Sequence, residues 1–323
     1  MSAPEVCPYV HTRGSTADRR ATVRTCLRVC RMDHAEYGGL EQTLGQPIAG
    51  SAPAEWGFQN RTDLLTLADG DRMVLQRYRN PDDAERRLRV MHTLLEPAAK
   101  RGIAIPRIRR FDLDADPAWI VFDALPGVPI PASAEIGLAS PQFPIIAREM
   151  GTLLAAFRRL PTAGLQLDDL WASPTRLVES ATAWAGRLDL AAAHRATLDR
   201  TLKSLPTLFA DRPTVLAHGD FAPVNILTDG EIITGLLDFE SVRLADPLFD
   251  PAWWAWSVSF IDPATPAWSD FLEGAGFDPA DPDLPQRVEA LQILRMLELL
   301  TEKPDLTPTI RDVVHERLLA TLS

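Results

Sequence analysis

Three side chains spread over nineteen positions carry the strongest chemical signal in the chain: Asp220, Asn225 and Asp238. The stretch reads Leu216-Ala-His218-Gly219-Asp220, then four residues, then Asn225, and later Asp238-Phe239-Glu240. Apolar Val215 to Ala217 predicts a short strand, and His218 to Asn225 a polar loop holding Gly219 and Pro223. Ile226 and Leu227 begin a second strand, Asp229-Gly230 is a hairpin turn, and Glu231 to Leu237 returns. The hairpin therefore brings Asp220 and Asn225, on the loop before it, close to Asp238, at its end. Two carboxylates and a carboxamide gathered in this way supply a general base and hard oxygen ligands. Magnesium wants little more, because it keeps several of its own waters. Phosphoryl transfer makes the same demands: an acceptor hydroxyl aimed in line, its proton removed, and the triphosphate charge held by the metal.

The order His218-Gly219-Asp220, four residues, Asn225, then Asp238-Phe239-Glu240 resembles the aminoglycoside phosphotransferase and choline kinase-like branch of the protein-kinase-like fold. A third block, Ala245-Asp246-Pro247-Leu248-Phe249-Asp250, follows in the order that this branch shows. The resemblance implies that Asp220 is the catalytic base and that Asn225 and Asp238 hold Mg2+, with ATP or GTP as co-substrate and a small hydroxylated molecule as acceptor. It also implies that Asp250 accepts hydrogen bonds from the catalytic-loop backbone and that His218 braces this loop. Glu240 falls behind the metal ligands. In the N-terminal part Glu85 matches the glutamate that orients a nucleotide-binding lysine, Asp123 lies near the hinge, and Gly57 to Asn60 sits where the nucleotide loop belongs.

The chain departs from the family pattern at the strand Met73 to Tyr78, which should present a Lys or Arg to the nucleotide. The two-residue alternation of a strand puts Val74 and Gln76 on one face and Leu75 and Arg77 on the other, and the position that the resemblance implies aligns with Gln76. Arg77 would serve if a bulge slips the register by one. The lysines of the chain are Lys100, Lys203 and Lys303, so none is available there. This departure gives the alternative reading, a nucleotide-binding pseudokinase or interaction protein with weakened catalysis. The segment Trp253 to Trp256 reads as core and cleft wall.

The elements that must position these groups divide in two. From Glu41 to about Tyr78 the chain reads as strands, with a hairpin of Arg61 to Leu67 and Arg72 to Tyr78 around Ala68-Asp69-Gly70-Asp71. Pro81 to Arg101 is helical, ended by Gly102, and strands follow at Arg107 to Phe111 and Trp119 to Phe122. After Leu125-Pro126-Gly127 helices dominate: 144–160, 174–187, 191–209, 247–257, 284–300 and 307–319, with the strand insertion of the motif between them. The fold expected is α+β and two-lobed: an N-lobe over 32–125 with a small antiparallel sheet that binds nucleotide, and a mainly helical C-lobe over 126–323 that holds the catalytic hairpin and substrate site.

Composition sets the outer limits. No run of 18 apolar residues occurs, so no membrane span is expected, and a cytoplasmic protein is the reading. Net charge is −11, with 18 Lys+Arg against 17 Asp+Glu up to Ile130 and 15 against 27 beyond it. That sign argues against a nucleic-acid partner and for a small-molecule substrate, with a cationic one such as an aminoglycoside suggested by the acidic stretch Asp262 to Asp283. Residues 1–31, rich in Arg, read as a disordered or extended tail. Cys7, His11, Cys26 and Cys30 within it offer only loose metal spacing.

Overall fold

The computed structural model describes residues 34–54, 60–133, 136–304 and 306–323. The Gly57 to Gln59 part of the expected nucleotide loop and the Cys7, His11, Cys26 and Cys30 group lie outside the described residues. The chain separates into two compact units, one of 1–85 with 106–124, the other of 86–105 with 125–323.

The first unit begins with helix α1 (His34–Leu44), followed by strands β1 (Ile48–Pro53), β2 (Arg61–Leu67) and β3 (Arg72–Tyr78). Helix α2 (Pro81–Lys100) then leaves this unit, and β4 (Ile108–Asp112) and β5 (Ala118–Asp123) complete its sheet. The strand order is β1-β2-β3-β5-β4, antiparallel throughout. Glu41 to Leu44 is helix, not the strand expected. Leu40, Glu41, Gln42 and Leu44 are all good helix formers, and Gly45 at φ 71° stops the helix after Leu44. Tyr37 and Leu40, three apart, place one face of α1 on Ile48, Leu65, Leu75 and Val121 of the sheet.

Most of α2 belongs to the second unit. There the chain adds β6 (Val128–Pro129), α3 (Phe143–Phe157), α4 (Pro174–Gly186) and α5 (Ala192–Leu208). Strand β7 (Val215–Ala217) leads into the motif loop, followed by β8 (Ile226–Thr228), β9 (Ile233–Leu236) and β10 (Arg243–Ala245). Helices α6 (Phe249–Val258), α7 (Trp268–Gly274), α8 (Leu284–Glu302) and α9 (Pro308–Thr321) complete it. The strands form two small sheets, β6-β8-β9 and β7-β10. At three residues β10 is too short to announce itself, yet it pairs residue for residue with β7. No helix among the described residues is long and apolar enough to cross a membrane. The α+β architecture, an antiparallel five-stranded sheet with a helical C-terminal part, is the one expected.

Helix α6 carries Asp250 and Trp253, and α3 and α7 hold it. Trp254 of α6 stacks on Phe271 of α7 at 4.1 Å between centroids and faces Phe143 of α3. The α3–α7 contact is made by backbones. A β-carbon on Gly151 would lie 2.1 Å from the Phe271 carbonyl oxygen, and one on Gly274 would lie 2.1 Å from that of Arg148. Neither partner has a flexible end that can yield. Gly151→Ala should therefore lower stability by about 1–3 kcal/mol despite the helix propensity of alanine. Urea unfolding checks this, and an unchanged or higher midpoint would show that the helices separate freely.

Candidate active site

The site lies in the second unit and is built outward from β7. Past Ala217 the chain must turn sharply under β10, and Gly219 takes φ 86° to do so. A β-carbon there would stand 1.9 Å from the Ser241 carbonyl oxygen, so the position admits only glycine. The turn is clamped from α6. The N–H groups of His218 and Gly219 donate to the two oxygens of Asp250, each at 2.8 Å. Asp250 is 2% exposed, and burial pushes its carboxyl up from the usual range; His218 and the two N–H donors oppose this. The ring of His218 donates through Nε2 to the Leu237 carbonyl at 2.9 Å, tying the loop to the end of β9. It is framed edge-on by Phe157, Phe221 and Phe239.

Asp220 emerges half-buried, with both carboxylate oxygens engaged. Asn225 Nδ2 donates to Oδ2 at 2.9 Å and to the Asp220 carbonyl at 2.8 Å. Trp253 Nε1 donates to Oδ1 at 2.7 Å. Asn225 ends a 3-10 turn, Pro223–Asn225, and its carbonyl accepts from Leu237 N at 2.8 Å. That bond sets Asp238 directly after a residue fastened to Asn225. Asp238 has φ 62°, a left-handed conformation rare outside glycine and common at functional sites. Its Oδ1 is buried with no hydrogen-bond partner, and Arg87 Nη1 stands 3.6 Å away at ion-pair distance.

The residues present fit magnesium. The Asp238 oxygen is a buried anionic acceptor without a donor. The amide nitrogen of Asn225 is committed to Asp220, which leaves its oxygen as the ligating atom. One carboxylate and one amide oxygen are the sparse hard set that this ion takes. Among the described residues no group of three or more His, Cys, Asp and Glu side chains gathers as a richer metal site.

Within this unit the structure thus brings together Asp220, Asn225, Asp238, His218, Glu240 and Asp250. Three parts of the site went unread in the sequence. The first is Trp253, whose type and setting read as core and cleft wall but which holds Asp220. The second is Arg87 of α2, whose Nη1 donates to Glu240 at 2.7 Å. The third is a buried charge cluster below the loop. Glu298 accepts from Arg243 at 3.0 Å and from Trp171 Nε1 at 3.3 Å and pairs with Arg295, while Arg295 also donates to the Gly219 carbonyl at 3.3 Å. The Arg295 guanidinium lies 5.5 Å from the centre of the Trp253 ring. A signal for this cluster was present, since Arg295 and Glu298 are the charges that interrupt the apolar stretch Ala290 to Leu300 of α8.

In the first unit β3 pairs with β2 and β5 without a bulge, so the slip that would turn Arg77 to the face of Gln76 does not occur. Arg77 shares the α1 face with Leu75, pairs with Asp63 and lies 5.3 Å from the Tyr37 ring centre. Gln76, on the opposite face, accepts from Tyr78 Oη at 3.0 Å. Glu85 is exposed; the buried face of α2 passes instead through Ala84, Arg87, Val90, Met91 and Leu94. Asp123 pairs with Arg109.

Glu298 yields a pH prediction. Burial alone would raise its carboxyl, but Arg295 and Arg243 overcome this and hold it at about 2. A carboxyl depressed in the folded state adds stability that is full above its unfolded value, near 4.5, and fades as pH falls through about 2. Glu298→Gln should therefore lie well below wild type in stability at pH 7, by about 3 kcal/mol. The gap should narrow between pH 5 and 2. Thermal melts across this range test it, and a gap constant with pH would refute the assignment.

Comparison with known proteins agrees with this geometry. Residues 51–291 match the model of the phosphotransferase enzyme family named APH. The aminoglycoside 3'-phosphotransferase of Streptomyces fradiae is 30% identical over 47% of the chain; the match spans 58% of that protein's own length, so the chain covers little more than half of this curated relative. Among solved structures, the macrolide 2'-phosphotransferase MphH of Brachybacterium faecium superposes with a TM-score of 0.61 at 23% identity, covering 90% of this chain and 98% of that one. The GDP complex of aminoglycoside 2'-phosphotransferase-IIIa gives 0.68 at 16% identity, covering 90% and 97%. With three quarters of its length inside the family model and the motif residues gathered at one loop, the chain belongs to the APH phosphotransferase enzyme family.

Proposed function

We propose that this protein moves the γ-phosphoryl group of a nucleoside triphosphate onto a hydroxyl of a small molecule. The observation that carries the reading is the Asp220 carboxylate, fixed from both sides by Asn225 and Trp253, with the backbone of Asn225 bonded to Leu237, the residue before Asp238. Asp220 accepts the proton of the acceptor hydroxyl as its oxygen attacks the γ-phosphorus. The bond from that phosphorus to the bridging oxygen breaks, and the nucleoside diphosphate leaves. The donors from Asn225 and Trp253 hold the carboxylate plane while its remaining lone pairs face the acceptor. When bound, Mg2+ supplies charge neutralisation for the phosphates, held by Asp238 and the Asn225 oxygen. The hydrogen bonds that the His218 and Gly219 N–H groups donate to Asp250 keep the loop backbone from moving as charge shifts across it.

ATP or GTP is the donor; nucleotide complexes among the matched structures support this. Gln76, where the family pattern has a cation, and Asp123, near the expected hinge, are the residues of the first unit that we assign to the nucleotide. Arg77, occupied by Asp63 on the α1 face, and exposed Glu85 have weaker support.

The acceptor is an aminoglycoside or a comparable hydroxylated compound, by analogy with the named relatives. The acidic stretch gives less support to a cationic acceptor than its composition suggests. Asp270 and Glu273 pair with Arg148, and Asp281 and Asp283 with Arg287, so arginines from α3 and α8 offset two of its six negative charges.

Triphosphate consumption over a panel of aminoglycosides, macrolides and amino alcohols, with magnesium and with chelator, tests the reading. Asp220→Asn should lower turnover by about 10²–10⁴-fold with nucleotide binding kept. Equal consumption by wild type and Asp220→Asn across the panel would sink the proposal. Trp253→Phe keeps the ring and removes one charge-assisted hydrogen bond, so kcat should fall about tenfold or more with little change in KM. An unaltered kcat would return Trp253 to a packing role.

A further inference from the structure

Transfer from a triphosphate needs a fixed protein cation near the phosphates as well as the metal. Strand β3 offers Gln76 on one face, while Arg77 is committed to Asp63 on the other. Helix α2 carries a cation on its buried side. Arg87 is 6% exposed, on a face otherwise lined by Ala84, Val90, Met91 and Leu94. One nitrogen, Nη1, donates to Glu240 at 2.7 Å and stands 3.6 Å from Asp238 Oδ1. Both carboxylates belong to the Asp-Phe-Glu motif.

Resting on the kinase reading, we infer that Arg87 supplies the fixed positive charge of the phosphotransfer site, delivered from the helix rather than from the strand. The charge balance requires one. Asp220, Asp238 and Glu240 place three carboxylates around the loop, and the incoming triphosphate is strongly anionic. Magnesium offsets part of this. Phosphates held by a magnesium ion at Asp238 would come within Coulomb range of a guanidinium 3.6 Å from that carboxylate. Burial lowers the local dielectric and strengthens the field, while the bond to Glu240 fixes where the charge sits. Glu240 is thus the anchor of the cation, and Asp238 is free to turn to the metal.

The test is calorimetric binding to the full chain of the imido analogues of ATP and GTP, and of adenosine and guanosine, each with magnesium and with EDTA. Arg87→Met should weaken binding of the preferred triphosphate analogue about tenfold or more in both conditions and leave its nucleoside within twofold. Triphosphate affinity equal to wild type would overturn the inference, and so would a parallel loss for the nucleoside, which marks a structural role. If Arg87→Met does not fold, Arg87→Gln, which removes the charge and keeps a donor for Glu240, decides: it should weaken the triphosphate analogue about tenfold with its nucleoside within twofold, and unchanged triphosphate affinity would overturn the inference. Failure of the wild type to bind either triphosphate analogue is a separate result, which removes the kinase reading itself.

Discussion

A carboxylate kept out of water must find donors, and Asp250 finds them in the peptide N–H groups of His218 and Gly219. The active loop depends on this interaction. Losing one partner of a buried charged hydrogen bond costs about 3 kcal/mol or more, far above the thermal energy that would let the loop wander. Asp250 sits in the first turn of α6, and Trp253 lies one turn further on the same helix. One short helix thus fixes the loop backbone and the orientation of the base. The glycines that seat α7 against α3, and the Trp254–Phe271 stack, hold that helix in turn.

Beneath the loop a second buried charge group works in the same sense. Glu298 is shared by Arg243 of β10 and Arg295 of its own helix, and Arg295 reaches both the Gly219 carbonyl and the face of Trp253. Strand β10, helix α8 and the catalytic loop are thereby joined by groups that lose their compensation if any one withdraws. Such a cluster adds less to net stability than an apolar core of equal volume. Its value lies in geometry, because charge-assisted bonds have narrow distance and angle ranges. The loop is therefore held from α6 on one side and from α8 on the other.

Much of this could be read from the chain. The hairpin after Asn225, the helices beyond Gly127 and the gathering of Asp220, Asn225 and Asp238 follow from turn residues and apolar spacing, which are local. What escaped was non-local. Trp253 resembles any core aromatic until its indole is seen to meet Asp220. Arg87 lies 151 positions from Asp238, and only the folded path of α2 brings them together. Glu85 was expected on that helix from the family resemblance; helical phase puts Ala84, Arg87 and Leu94 on the buried face and leaves Glu85 exposed. The α1 helix was missed because its C-terminal half borders a strand-rich stretch, although its residues favour helix. Strand β10 gave no periodic signal at three residues.

The β8–β9 hairpin has a further implication. Asn225 and Asp238 are joined at its open end, where Leu237 N meets the Asn225 carbonyl, while Asp229 and Gly230 form its closed tip several residues away. The ligands are thus indifferent to what happens at the tip but sensitive to any change of count along the ladder. A residue gained or lost at Asp229-Gly230 lengthens or shortens a protrusion. The same change within Ile226–Thr228 or Ile233–Leu236 rotates every later side chain to the other face and turns Asp238 away from its partner. Drift in length among related chains should therefore collect at the tip, and the run from Ile233 to Asp238 should keep its number.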